Sequence, residues 1–265
     1  MAEPKVCVSL EAISVKDMID EATRANIAGA DYVEIRFDKL YLNKPEPIMQ
    51  TNDDGEEFNK MPPIEDWGVK NFSDIDIESS IAMLKEGIPV PVVFTVRSVR
   101  EGGFFAGNEE QRLEILAKAI ESGVSFVDLE LTISDKERSK LMTSAENSNS
   151  KVIASIHETK STPSAEEIIK LIKENKDKGD VIKFCSVVSN HRDALKIFEA
   201  ANTLANEDSK HSLMGLGSGG DWVRIHAPKL GQEMVYATMM NSFRLSDKGL
   251  INVRDLRDAW ALMEY

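Results

Sequence analysis

Lys183 stands in the middle of Val181-Ile182-Lys183-Phe184-Cys185, a short apolar run that reads as a buried strand. A lysine is almost never fully buried unless something pairs or neutralises it. Desolvation favours the free amine over the ammonium, and a free amine can attack a ketone or aldehyde to form a Schiff base. A lone lysine of this kind can also be a strand-end residue that snorkels to water. Three further runs carry polar groups that an apolar core would exclude. They are Tyr32-Val33-Glu34-Ile35-Arg36-Phe37-Asp38, Val92-Val93-Phe94-Thr95-Val96-Arg97 and Val152-Ile153-Ala154-Ser155-Ile156-His157-Glu158. Acid, base and cation at the same end of successive strands describe an active site.

The elements that must position these residues alternate along the chain. Strand patterns cover Lys5–Leu10, Asp31–Phe37, Pro91–Arg97, Phe126–Leu131, Lys151–His157, Asp180–Cys185, His211–Gly215 and Met234–Met239. Helix patterns cover Ser14–Gly29, Asp76–Glu86, Glu109–Ser122, Asp135–Asn147, Ser164–Asn175, Asn190–Ala205, a short Gly219–His226 and Val253–Met263. Ser14 is placed to cap the first helix and Gly29 to stop it. Strand interiors that are continuously apolar are buried on both faces, as parallel sheets require. Eight such βα units predict a single (β/α)8 TIM barrel domain over residues 1–265. A doubly wound sheet is the alternative, but no glycine-rich turn follows the first strand. Ser212–Gly220 is rich in glycine yet lacks P-loop spacing; a phosphate-binding turn there is the functional option.

Barrel catalysis takes place at the C-terminal ends of the strands. That places Glu34 and Arg36 after strand two, Arg97 and Glu101 after strand three, and His157 after strand five. Lys183 is on strand six, and Arg224 follows strand seven. Alternation puts Glu34, Arg36 and Asp38 on one face. Glu34 with Arg36 can equally be a structural ion pair, and His157 a core histidine. One strand from a Schiff-base lysine, however, a histidine can move a proton to or from the carbon beside the imine.

Composition narrows the partners. The 265 residues carry a net charge of −13, so the surface repels polyanions and nucleic acid is not an expected partner. Arg36, Arg97 and Arg224 can still form a local anion site. The two cysteines, Cys7 and Cys185, both fall in apolar strand-like runs and read as small buried hydrophobes in a reducing compartment. No signal peptide or membrane span is evident, so a cytoplasmic protein without a membrane partner is expected. Lys39–Asp74 breaks the rhythm with Lys44-Pro45-Glu46-Pro47, Asn52-Asp53-Asp54-Gly55-Glu56-Glu57 and Met61-Pro62-Pro63. It reads as a long solvated loop after strand two. Trp67 and Phe72 are candidates to wall the pocket or a subunit contact. The acidic run lacks calcium-loop spacing.

Several stretches together resemble the type I 3-dehydroquinate dehydratases of the shikimate pathway. They are Val8-Ser9-Leu10, Glu34-Ile35-Arg36-Phe37-Asp38, Phe94-Thr95-Val96-Arg97-Ser98 with Glu101-Gly102-Gly103, and Asp128-Leu129-Glu130-Leu131. Ser155-Ile156-His157-Glu158, Ile182-Lys183 and Asp255-Leu256-Arg257 follow in the family's order over nearly the whole chain. The resemblance implies that Lys183 attacks the C3 ketone of 3-dehydroquinate and that His157 removes the C2 proton and returns it to the departing C1 hydroxyl. It implies that Glu101 orients His157 and that Arg224 holds the substrate carboxylate. Glu34, Arg36 and Arg97 would contact ring hydroxyls and set the charge around Lys183. Ser9, Met214, Tyr236 and Ser246 would line the substrate. It further implies a homodimer that needs no metal, nicotinamide or other cofactor, since the imine supplies the activation.

The chain also departs from the family. Leu250 stands where a glutamine would reach the substrate, and a leucine cannot make that hydrogen bond. Thr159 replaces an aromatic after the histidine, and only Met1–Pro4 precede strand one, where bacterial members often carry a hairpin. Two rivals remain at this stage. A class I Schiff-base aldolase would take a phosphosugar, with Ser218-Gly219-Gly220 as its phosphate turn. A non-catalytic metabolite-binding barrel would bind without turnover.

Overall fold

The computed structural model describes residues 3–52, 54–207, 209–240 and 249–265. Eight parallel strands form one sheet: β1 (Lys5–Ser9), β2 (Tyr32–Arg36), β3 (Val92–Thr95), β4 (Phe126–Glu130), β5 (Lys151–Glu158), β6 (Val181–Val188), β7 (His211–Gly217) and β8 (Met234–Ala237). They pair in the order β7-β6-β5-β4-β3-β2-β1-β8, so the last strand returns to the first. Helices alternate with them: α1 (Val15–Ile27), α2 (Ile77–Gly87), α3 (Glu109–Glu121), α4 (Asp135–Asn147), α5 (Ala165–Glu174), α6 (His191–Leu204), α7 (Asp221–Ile225) and α8 (Val253–Leu262). This is the (β/α)8 barrel that the sequence predicts. No helix among the described residues is long and apolar enough to cross a membrane.

Local chemistry sets the boundaries. Ser14 Oγ accepts from Asp17 N at 3.1 Å to cap α1, and Gly29 at φ +99° turns the chain towards β2. Reciprocal capping boxes open α3 (Asn108 with Gln111) and α5 (Ser164 with Glu167). β6 runs past its expected end at Cys185, because its pairing with β7 continues to Val188 opposite Gly217.

Alternation divides each strand between two environments. Val6, Val8, Val33, Ile35, Phe94, Val127 and Leu129 pack outward beneath the helices, as do Ile182, Phe184 and Leu213. Inward-facing Cys7, Val93, Phe126, Ile153, Val181 and Met234 fill the lower barrel with apolar volume. Two residues further along the same strand faces come Ser9, Thr95, Asp128, Ser155, Lys183 and Tyr236, with Glu34 from β2 among them. A polar layer therefore rests on an apolar plug.

The barrel is nearly closed, and two side-chain hydrogen bonds with one between backbones bridge the gap. β7 and β8 share no strand ladder among the described residues. Ser212 Oγ donates to Met234 O at 2.6 Å, Leu213 N donates to Gln232 Oε1 at 2.6 Å, and Glu233 N donates to His211 O at 2.9 Å.

The segment after β2 is solvated over most of its length, as its composition suggests, and only its first residues are buried. Phe37–Tyr41 is a buried 3-10 turn, with the Phe37 ring 5.2 Å from Phe94 and the Tyr41 ring 5.2 Å from Phe105. Beyond it, Leu42–Asn43 pairs with Gly68–Val69, and Ile48–Thr51 pairs with Glu57–Lys60 in an exposed ribbon. Phe72 stacks on Tyr41, and Trp67 Nε1 donates to Pro62 O at 2.9 Å. Both aromatics brace the segment itself, and neither walls the catalytic-end cavity described below.

Gln232→Leu should leave the buried Leu213 N–H without its acceptor, at a cost of about 1–3 kcal/mol. Urea denaturation should show the loss as a lower midpoint; an unchanged midpoint would mean that this side chain does not hold the seam.

Candidate active site

Lys183 Nζ occupies the polar layer at the barrel centre. It donates to Glu34 Oε1 and to Asp128 Oδ2, each at 3.3 Å, and lies 3.9 Å from the centroid of the Tyr236 ring. The residue is 3% exposed, which rules out snorkelling. Two carboxylates and an aromatic face are what allow this cation to be buried.

Each carboxylate is held from behind. Glu34 accepts from Ser9 Oγ at 2.6 Å and from Thr95 Oγ1 at 2.9 Å. Asp128 accepts from Arg97 Nη2 at 2.7 Å and from Ser155 Oγ at 2.5 Å. Burial alone would raise both acids. Lys183 and Arg36 nonetheless bring Glu34 below its ordinary value, and Arg97 with Lys183 holds Asp128 well below the usual carboxylate range. Arg97 Nη1 also donates to Glu130 Oε1 at 3.2 Å and to Ser155 Oγ at 3.0 Å. Burial works against the Arg97 cation, but Asp128 and Glu130 more than offset it.

His157 ends β5 with its Nδ1 at 3.0 Å from Glu101 Oε2, while Thr132 Oγ1 donates to Glu101 Oε1 at 3.0 Å. Burial lowers the imidazole pKa well below its ordinary value, and the positive charges of Arg97 and Lys183 lower it further. The ring is therefore neutral at physiological pH. With Nδ1–H directed at the Glu101 carboxylate, Nε2 carries the lone pair. Burial and the charge of Glu130 push Glu101 up to about 7. Local backbone explains the Glu101-Gly102-Gly103 element. Gly102 closes the 3-10 turn Val99–Glu101 at φ +77°, and a Cβ on Gly103 would stand 2.2 Å from the Arg97 carbonyl oxygen.

Arg224 projects from α7 on the opposite wall. Its Nε donates to Tyr236 O at 3.0 Å, and its Nη1 donates to Gly215 O at 2.7 Å and to Gly220 O. Burial pulls its pKa down to about 10. Nη2 has no hydrogen-bond partner among the described residues. A buried guanidinium with one edge unpaired is a natural receptor for an anion.

A cavity of about 260 Å³ brings these groups together, bordered by Ser9, Glu34, Arg36, Arg97, Glu101, His157, Lys183, Met214, Arg224 and Tyr236. Each is a residue expected from the sequence. Ser246 lies outside the described residues, whereas Leu250 and Thr159 both border the cavity. Some orientations differ from expectation. Asp38 belongs to the 3-10 turn rather than to the face of β2, yet it reaches Arg36 through two hydrogen bonds at 2.9 and 2.7 Å. Arg97 borders the cavity and directs hydrogen bonds to Asp128, Glu130 and Ser155. The glycines of the Ser212–Gly220 stretch answer to packing: a Cβ at Gly220 would meet Gly215 O at 2.6 Å, and one at Gly219 would meet Ala194 Cβ at 2.8 Å. The structure also brings Asp128, Glu130, Ser155 and Thr132 into these networks, residues to which the sequence assigns no role. The signal for the first two was present, since Asp128-Leu129-Glu130 alternates as Glu34-Ile35-Arg36 does. Thr132 carries no such signal.

Comparison with known proteins follows the same lines. A model of the family Type I 3-dehydroquinase matches residues 6–265. A 3-dehydroquinate dehydratase of Methanocaldococcus jannaschii is 30% identical over 196 residues, covering 74% of this chain and 84% of that protein. One from Desulfotalea psychrophila is 25% identical over 262 residues, covering 98% and 99%. In structure, a type I 3-dehydroquinate dehydratase of Clostridium difficile superposes with a TM-score of 0.79 at 24% identity, covering 99% of this chain and 93% of that one. With strands, cavity and family match coinciding over nearly its full length, the chain belongs to the type I 3-dehydroquinases, a family of hydro-lyases.

Proposed function

We propose that the protein dehydrates 3-dehydroquinate to 3-dehydroshikimate through a Schiff base on Lys183. The observation that carries this reading is a buried amine between two carboxylates, one strand from a neutral histidine, at the floor of the cavity. Lys183 Nζ, once deprotonated, adds to the C3 carbonyl. The carbinolamine loses water and leaves an iminium, which withdraws electrons from C2. His157 Nε2 takes the C2 proton, and the C2–H electrons form the enamine. The enamine expels the C1 hydroxyl, which leaves as water with the proton returned by His157. Hydrolysis of the imine restores the lysine, so one water is lost overall. Arg224 Nη2 supplies the contact for the substrate carboxylate. Ser9, Arg36 and Arg97 line the ring, and Arg97 also tunes the charge behind Asp128. A phosphosugar aldolase is less well supported, because packing already accounts for the glycine turn.

Borohydride added during turnover should trap substrate covalently on Lys183, and peptide mass mapping should locate the adduct there. Lys183→Ala should abolish trapping, and an adduct on another lysine would overturn the assignment. His157→Ala should lower turnover by at least about a hundredfold, whereas near-normal turnover would remove His157 from the proton transfer.

The Glu101 carboxylate must be ionised to hold the His157 proton on Nδ1. Protonated Glu101 would instead donate to Nδ1 and place the hydrogen on Nε2, the wrong tautomer for a base. Activity should therefore rise with pH through about 7, where Glu101 titrates. Glu101→Gln should remove that limb and lower the plateau. An unchanged limb in this variant would assign the titration to another group.

Leu250 borders the cavity with an apolar surface. A neutral hydrogen bond is worth on the order of 1 kcal/mol. Leu250→Gln should therefore lower KM several-fold with kcat little changed, the signature of uniform binding. Unchanged KM would show that position 250 does not contact bound substrate.

A further inference from the structure

Lys183 has two carboxylate partners at equal distance, but the reaction cannot keep both. An ammonium has three N–H groups to share between Glu34 and Asp128. Once the amine has condensed with a ketone, the iminium nitrogen keeps a single N–H. One partner must lose its hydrogen bond as the C=N bond forms.

The surroundings of the two acids are not equivalent. Glu34 borders the cavity, on the side from which the substrate carbon must approach, whereas Asp128 is not among the residues that line it. Among the described residues, Glu34 accepts hydrogen bonds from the hydroxyls of Ser9 and Thr95 besides Lys183. Asp128 is fixed at both oxygens, by Ser155 Oγ at 2.5 Å on Oδ1 and by Arg97 Nη2 at 2.7 Å on Oδ2. Arg97 is in turn anchored to Glu130. Asp128 is also fully buried and ionised throughout, with Arg97 and Lys183 opposing the cost of burial.

We propose that Asp128, clamped by Arg97 and Ser155, receives the one N–H of the Lys183 iminium, and thereby sets the plane of the C=N bond, while Glu34 is released to the substrate. Condensation consumes the ketone oxygen as water, and the nitrogen retains one hydrogen and its positive charge opposite Asp128. A fixed counter-ion placed before the charge develops needs no rearrangement as the iminium forms. Ser155, which donates to Asp128 and accepts from Arg97, braces this clamp from behind and is a positioning residue. The proposal rests on the Schiff-base reading of Lys183.

The test compares wild type, Asp128→Asn, Ser155→Ala and the double variant by steady-state kinetics and by the rate of borohydride trapping during turnover. Asp128→Asn should lower kcat by at least about tenfold, with KM held within about threefold. Its trapping rate should fall in parallel. Ser155→Ala should fall less, in the same direction, and should add less in the Asp128→Asn background than it costs alone, because its shorter hydrogen bond is to that carboxylate. If Asp128→Asn does not fold, the trapping rate of Ser155→Ala decides: a wild-type rate overturns the proposal. Absence of a Lys183 adduct in wild type would remove the underlying Schiff-base reading. A wild-type adduct on Lys183, with both single variants within about twofold of normal kcat and trapping rate, overturns the role of Asp128 alone.

Discussion

Burying the charge of Lys183 is the constraint from which the upper barrel follows. A lone ammonium in that interior would cost several kcal/mol, so Glu34 and Asp128 must stand beside it. Two carboxylates add a charge of their own, and Arg97 answers it from the Asp128 side. Arg97 in turn draws in Glu130, which Ser98 and Arg112 hold in place. Each buried charge thus calls for the next, and the series ends only where α3 meets the barrel wall. The apolar layer beneath supplies a rigid floor, since an interior at native packing density leaves these side chains few alternative rotamers.

The same series joins the two chemical groups of the site. Arg97 is hydrogen-bonded to Asp128 at the lysine and lies 3.8 Å from Glu101, the partner of the histidine. One cation therefore sits between the lysine's counter-ion and the carboxylate that contacts the histidine. It opposes the rise in the Glu101 pKa while depressing that of His157. Burial, reinforced by the cations of the barrel, keeps the imidazole neutral, and burial with the charge of Glu130 raises the Glu101 carboxyl to about 7. Two ordinary residues acquire acid–base properties suited to physiological pH from where they are packed.

Strand-borne features were legible in the sequence because a parallel barrel writes its strands as apolar runs and its interior as every second residue. Lys183, His157, Glu34 and Arg36 stood out as polar breaks in such runs. Asp128 and Ser155 obey the same parity but acquire meaning only through pairing. Which strand lies opposite another, and at what register, is a property of the closed barrel and not of any window of sequence. The orientation of Arg97 is hidden for the same reason. After β2 the prolines and acidic residues mark an exposed stretch correctly, but not the aromatic contacts that bury Phe37–Tyr41 at its start. The end of β6 was misplaced because Ser186 resembles a strand exit, yet it is buried and paired with Gly215.

The side-chain closure between β7 and β8 has a consequence for how the interior breathes. β8 is four residues long and has a backbone ladder only with β1. On its other side it depends on Ser212, Gln232 and Arg224. Strands held by few backbone hydrogen bonds open at a lower free energy than the global unfolding of the protein. β8 also carries Tyr236, the ring that shields Lys183. Loosening of that seam would shift the ring away from Lys183 with no change at the mouth of the cavity, so the floor of the site is only as firm as the seam beside it.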